Sequence, residues 1–250
     1  AAEVGADLRT VTLGFEEYRG TPNDEVPLAE EVARRYGAKH QTVWITRDEF
    51  RQEYDNLMNA MDQPTIDGVN TYFVSMAARK AGLKVALSGL GGDELFGGYP
   101  SFSQVPKSVR AFGWTRNAPW LGRAFRSFAV NLIPYTLNHV SPKFAGLLEY
   151  GGTYGGAYLL RRGLFMPWEL PRVMDTEMAR EGLERLQTLQ QLANTEKGIT
   201  SEQGKVSALE TAWYMRNQLL RDADWASMAH SLEIRVPLVD LHLLRAAAPL

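Results

Sequence analysis

The stretch KVALSGLGGDELFGGYPSF, Lys84 to Phe102, decides how the chain is read. A short apolar run, Val85 to Leu87, stops at Ser88 and a glycine cluster. Two adjacent carboxylates, Asp93 and Glu94, follow, and then an aromatic-glycine segment. Gly89, Gly91 and Gly92 let the backbone approach a ligand. Successive N–H groups in such a turn form a concavity suited to anions, and a helix starting near Asp93 adds its positive end. Carboxylates are costly to bury unpaired. Placed side by side in a crevice they suit Mg2+, which takes one or two carboxylates and completes its shell with phosphate oxygens and water. The plainer alternative is a tight turn in which Asp93 only caps a helix.

Upstream, RTVTLGF (Arg9 to Phe15) is rich in β-branched residues and reads as a strand. Asp24 to Gly37 reads as a helix capped by Asn23 or Asp24, with Pro27 in its first turn and Leu28, Val32 and Tyr36 on one face. His40 to Ile45 reads as a second strand. Thr46 is placed to cap a helix reaching about Met61, with Phe50, Tyr54, Leu57, Met58 and Met61 on its apolar side. A turn and a helix from about Asn70 to Ala81 precede the third strand, KVALS. Strands alternating with helices predict an α/β fold with a parallel sheet covered on both faces. Ligands in such sheets bind beyond the carboxyl ends of the strands, where GFEEYRG and SGLGGDE lie.

Downstream of about Ser103 strand signals fade. EYGGTYGGAY (Glu149 to Tyr158) reads as a flexible loop, a candidate lid. Asp175 to Ala193 and Ser201 to about Leu220 read as helices. Two parts are expected: residues 1–102 as an α/β part and residues 103–250 as a mainly helical part.

Composition narrows the function classes. The 250 residues are 45% apolar and 22% charged, with net charge −2 and pI near 6.2. No global pull toward nucleic acid or anionic membrane follows, and the basic residues of KSVRAFGWTRN read as a solvated amphipathic face. The absence of cysteine excludes disulfides and thiolate metal sites and fits a cytoplasmic location. No apolar run approaches the roughly 18 residues of a membrane span, and the N-terminus lacks the features of a signal peptide. Ala1 to Val4 read as the last turn of a helix stopped by Gly5, and LVDLHLLRAAAPL ends in or just after a helical pattern. Both ends read as those of a fragment.

ALSGLGGDELFGGY closely resembles the signature of the synthetase domain of glutamine-hydrolysing asparagine synthetases and their relatives, the β-lactam synthetases included. The resemblance continues upstream in TVTLGFEE, NDEVPLAEEVARRYGAKHQTV and MDQPTIDGVNTYFVSMAARKAGLKVALSG. It resumes downstream in LLRDADWASMAHSLEIRVPLVD. Between them, about Val105 to Ile199 matches only as a generic helical region. The resemblance implies an adenine-nucleotide α-hydrolase-like fold that activates a carboxylate, aspartate in the named family, with ATP and Mg2+ as an acyl-adenylate for attack by ammonia from a glutaminase domain. It also allows a homodimer.

Carried onto this sequence, the resemblance implies that Leu13 lines the adenine site. Ser88 and Gly89, with Gly91 and Gly92, would contact the nucleotide, and Asp93 would hold Mg2+ and through it pyrophosphate. The plain alternatives are a core leucine, a turn serine and a cap. Glu94 joins the catalytic set beside the second-tier charges Arg221, Asp222, Glu233 and Arg235, with Asp240 in the same segment. For these a structural ion network is the alternative to substrate contact. Gly97, Gly98 and Tyr99 are expected to shape the turn, and His230 to pack or cap.

Three departures stand out. The family's serine–glycine–glycine–x–aspartate–serine pyrophosphate loop has no counterpart in the sequence, nor has its basic residue further toward the C-terminus. Leu90 stands where the family usually carries an acidic residue. No N-terminal glutaminase cysteine is present either. Two rivals therefore accompany the asparagine synthetase reading: a relative with another carboxylate substrate, of β-lactam synthetase or amidotransferase type, and a non-catalytic nucleotide-binding domain.

Overall fold

The computed structural model describes residues 8–65, 67–136 and 142–247, without the side chains of 119, 131–136 and 142; the turn expected over Ala1–Val4 and its stop at Gly5 lie outside the described residues. The chain forms two compact units, neither a single continuous stretch. The first holds Ala1–Leu90 and Arg216–Pro237, the second Gly91–Met215 and Leu238–Leu250.

In the first unit, β1 (Arg9–Phe15), α1 (Val26–Arg35), β2 (Lys39–Ile45), α2 (Arg47–Ala60), α3 (Gly68–Lys80) and β3 (Val85–Leu87) follow the expected alternation. β1 and β2 pair in parallel, Arg9 opposite Lys39 through Phe15 opposite Ile45. At one rung the absence of a side chain is required: a Cβ on Gly14 would come within 2.6 Å of the Trp44 ring. Thr46 caps α2 as its sequence predicts, accepting from Glu49 N at 3.1 Å while Glu49 Oε2 accepts from Thr46 N at 3.0 Å. This reciprocal box satisfies two otherwise unpaired donors. Ile45, Leu57, Tyr72, Phe73 and Met76 form the core, with Leu13 and Phe15 packed on its edge.

The second unit contains α4 (Gly92–Phe96), α5 (Ser101–Phe112), α6 (Pro119–Thr136), α7 (Leu147–Tyr150), α8 (Tyr154–Arg162), α9 (Thr176–Leu186), α10 (Thr188–Glu196) and α11 (Glu202–Leu209). Its core gathers Val105, Tyr154, Ala157, Tyr158, Leu192, Val206 and Leu209. A π-helical stretch, Glu210–Leu219, continues from α11. The chain then returns to the first unit as α12 (Leu220–Met228), which packs on α3, and β4 (Glu233–Arg235), which pairs in parallel with β3. α13 (Leu241–Ala247) closes the described chain. No helix among the described residues is long and apolar enough to cross a membrane.

Three expectations change, and one apolar helix face stays open. In place of one sheet covered on both faces, the described strands form two separate pairs, β1–β2 and β3–β4. With only three residues and one partner each, β3 and β4 cannot bury both faces, and Leu87 is 73% exposed. The shared face of Leu28, Val32 and Tyr36 on α1 is likewise open, with Leu28 67% exposed. The expected loop EYGGTYGGAY is in fact helical over Tyr154–Tyr158 and buried. Its glycines allow close approach, since a Cβ on Gly156 would run into the Tyr150 carbonyl and one on Gly155 would lie 2.9 Å from Leu192 Cβ. Thr153 starts the helix by accepting from Gly156 N at 3.2 Å. Finally, the helix expected over Asp175–Ala193 breaks at Gln187, which adopts a left-handed φ of 46° between α9 and α10.

Candidate functional site

The glycine turn divides between the units after Leu90. On the first unit's side, β3 delivers Ser88, whose N–H donates to the Arg235 carbonyl at 2.9 Å, continuing the β3–β4 ladder. The pairing sets Arg235 opposite Leu87, beside the strand end that carries Ser88 and Gly89, and Glu233 opposite Val85 at the other end, although both are remote in sequence. Ser88 Oγ accepts from Leu90 N at 3.2 Å, a local turn contact. Leu13 lines a cleft of about 770 Å³ along β1 and α1, together with Leu28, Val32, Tyr36 and His40.

The second-tier charges separate by environment. Arg221 reaches Asp62 at 2.7 Å at the surface, and Arg235 pairs with Glu233 at 2.8 Å, also exposed. Asp222 alone is buried, 1% exposed. It accepts from Thr65 Oγ1 and, at 2.9 Å, from Trp225 Nε1, tying α12 to the segment before α3. Burial above all raises its carboxyl pKa, the two hydrogen bonds opposing and the charges of Asp67 and Asp62 adding to the rise. His230 packs on Tyr72 with ring centroids 4.3 Å apart, and burial lowers its pKa.

In the second unit, Gly91 is left-handed (φ 96°), a conformation that favours glycine. A Cβ there would meet Val239 at 2.8 Å, and one on Gly92 would meet Leu238 at 3.3 Å, so the VPLVD segment packs directly on the turn. Asp240 at its end accepts from Leu243 N at 2.8 Å, at the start of α13. Asp93 is exposed. Its carbonyl accepts from Gly97 N and Gly98 N at 2.9 and 3.0 Å, and one carboxylate oxygen lies against Gly98, where any Cβ would collide with it. Among the described residues no partner claims that carboxylate. Nor do those residues assemble three or more His, Asp or Glu as a metal cage. A single open carboxylate in a glycine cradle fits Mg2+ of the kind that keeps water and phosphate oxygens as its other ligands.

Glu94 is its opposite, 3% exposed. Tyr99 donates to Oε1 at 3.1 Å, Ser207 Oγ donates to the backbone carbonyl at 2.9 Å, and Oε2 is buried without a partner. Burial raises the Glu94 pKa; a contact with its own backbone N–H and then the hydrogen bond from Tyr99 oppose this, while the charges of Asp93 and Glu210 reinforce it. The same burial, and the carboxylate beside it, push the Tyr99 hydroxyl far up.

Behind Tyr99 lies a group that sequence reading did not single out. Glu210, wholly buried at the start of the π-helical stretch, accepts from Ser101 Oγ, from Tyr158 OH at 3.2 Å and from Arg162 Nε at 3.0 Å. The only signal was a lone acid inside the apolar run SALETAWYM.

The family model of asparagine synthase matches residues 1–250. Asparagine synthetase (glutamine-hydrolyzing) 1 of Bacillus subtilis is 28% identical over 253 residues, covering 96% of this chain and 36% of that protein. A putative asparagine synthetase (glutamine-hydrolyzing) of Mycobacterium bovis is 28% identical over 249 residues, covering 97% of this chain and 35% of its own length. Asparagine synthetase (glutamine-hydrolyzing) 1 of Saccharomyces cerevisiae is 29% identical over 161 residues, 52% of this chain and 28% of that protein. The chain thus spans about a third of the length of the first two relatives. No solved structure matches the chain with significance.

Proposed function

We propose, from the premise that this chain belongs to the asparagine synthase family, that it is part of an ATP-dependent amide-forming synthetase. The observation that carries the reading is the contrast within one turn: Asp93 open and unclaimed, Glu94 buried with a free oxygen. In this reading the fold is of the adenine-nucleotide α-hydrolase type. ATP is consumed as substrate, and a carboxylate such as aspartate is activated as an acyl-adenylate.

Asp93 would hold Mg2+, which neutralises phosphate charge when bound. Ser88 and the glycine backbone would contact the nucleotide, and Leu13 would pack on adenine. In the second half-reaction an amine nitrogen, ammonia supplied by a glutaminase domain, attacks the acyl carbon. The C–N bond forms, the C–O bond to AMP breaks, and AMP leaves with the bonding electrons. The nitrogen's proton passes to Glu94 Oε2, a buried carboxyl oxygen without a hydrogen-bond partner among the described residues. Such a base works only when ionised, so its raised pKa places the acid limb of amide formation above the ordinary carboxylate range.

Leu90 favours a second reading, in which a different carboxylate is the substrate. The test is ATP–pyrophosphate exchange by the full-length protein with a panel of carboxylic acids. Asp93→Ala should lower exchange by at least 100-fold, the scale of losing one electrostatic anchor of a developing charge. Exchange with aspartate supports the first reading, and exchange with another acid alone the second. Unchanged exchange in Asp93→Ala, or none with any acid, overturns the synthetase proposal.

A further inference from the structure

The net charge of −2 conceals a local excess of the opposite sign. Residues 95–148 carry Lys107, Arg110, Arg116, Arg123, Arg126 and Lys143 and no aspartate or glutamate. Within this acid-free stretch the 3-10 turn Gly113–Asn117 leads into α6, and Trp114, Trp120 and Phe128 are each more than half exposed. Trp120, Arg123, Ala124, Ser127 and Phe128 recur at helical spacing and are all exposed, so they form one outer face of α6. The opposite face is fixed to α7. A Cβ on Gly122 would lie 2.6 Å from Glu149 Cα, Arg126 Nε donates to Glu149 Oε2 at 2.5 Å, and Ala129 is buried. The helix cannot roll its aromatic rings inward without losing these contacts.

We propose that this face docks on an anionic lipid surface, α6 lying in the plane of the headgroups with Trp120 and Phe128 reaching the acyl boundary. Helices of this kind set aromatic side chains beside arginine, and their hold grows with apolar area and with charge attraction. Tryptophan suits the boundary between headgroup and hydrocarbon. Arg116 is exposed and has no partner among the described residues; Arg123 makes only a 3.9 Å contact with Glu149 and stays open. Charge disfavours the other occupants. A symmetric dimer brings one patch against itself, which would set arginine against arginine with no acid on the patch to pair with. A nucleic acid strand calls for a row of cations tracking its backbone, whereas Arg110 is taken by Glu202 at 3.1 Å and Arg126 by Glu149. The open face of α1 lacks the bias altogether, with Glu30 and Glu31 on the same helix.

The test is co-sedimentation of the full-length protein with vesicles, which needs no turnover and so stands apart from the synthetase reading. Two compositions are compared: phosphatidylcholine alone, and phosphatidylcholine with phosphatidylserine in equal parts. Binding should favour the second and weaken as salt screens its surface. Arg116→Gln and Arg123→Gln should each weaken it about fivefold, the scale of one basic residue near an anionic surface. Trp120→Ser combined with Phe128→Ser should weaken it about tenfold or more, since the rings no longer take apolar area out of water. All four side chains are exposed, so these variants should melt with the parent.

No binding to the phosphatidylserine vesicles overturns the proposal. So does equal binding to both compositions, because charge would then select nothing. Binding unchanged by the paired Trp120 and Phe128 substitutions puts the contact elsewhere and overturns it too. The same variants are assayed against polyglutamate, against a single-stranded oligonucleotide, and by sedimentation without vesicles. A protein that ignores vesicles, yet loses a polymer or an oligomeric state through these substitutions, gives the face to another partner and overturns the lipid reading. Should a variant not fold, the parent carries the test by itself: brominated lipid in the mixed vesicles should quench part of its tryptophan fluorescence, and an unquenched signal overturns the proposal.

Discussion

Glu94 and Asp93 are neighbours of the same charge with opposite fates, and the difference has a measurable price in stability. Burial holds the Glu94 carboxyl above its ordinary pKa, so above the usual carboxylate range the native state keeps a proton that the unfolded chain has released. Stability then falls as pH rises through that window. Glutamine does not titrate. Glu94→Gln should therefore melt higher than the parent at neutral pH, with the advantage vanishing in acid; a variant that melts lower at neutral pH would contradict the burial argued here. Should activity of the full-length protein fall in the same variant, the pair of changes would match the pattern of a working site. In sequence, the pair was legible as a pair but not as one open and one buried group. Arg221, Asp222, Glu233 and Arg235 were equally undivided. Their separation depends on partners such as Thr65, which lies 157 residues from Asp222.

Among the elements, what local chemistry determines was read well. β1 spans Arg9–Phe15 as expected, and the Thr46 box at the start of α2 needs only residues three apart. Thr46→Ala should cost about 1 kcal/mol in chemical denaturation. α8 was missed because glycine lowers helix propensity, and because contacts that demand glycine cannot be seen locally. Gly156→Ala should destabilise by about 1–3 kcal/mol, overpacking against the Tyr150 carbonyl outweighing alanine's better propensity. An increase in stability would show that the close approach is not constraining. β4 escaped notice for a related reason: EIR is too short for its alternation to register, and its partner β3 precedes it by most of the chain.

For the whole molecule, the grouping of Arg216–Pro237 with the N-terminal residues is a matter of long-range pairing that no window of sequence reports. The open apolar face of α1 is equally a property of context. Leu28, Val32 and Tyr36 have helical spacing, yet remain exposed, as does Leu87. Exposed apolar surface of this kind promotes association, so the chain prepared alone should bind a hydrophobic dye and sediment in a concentration-dependent way. Val32→Lys should reduce both, while leaving the melting temperature within about 0.5 kcal/mol of the parent in free-energy terms. Dye binding unchanged by that substitution would place the sticky surface elsewhere.

The contact of Gly14 with the Trp44 ring reaches beyond this one chain. Two positions that share one volume cannot drift independently. Across a lineage, a side chain should arise at the first only where the second has already given up its indole, and that order of events would be written in the covariation of the two columns.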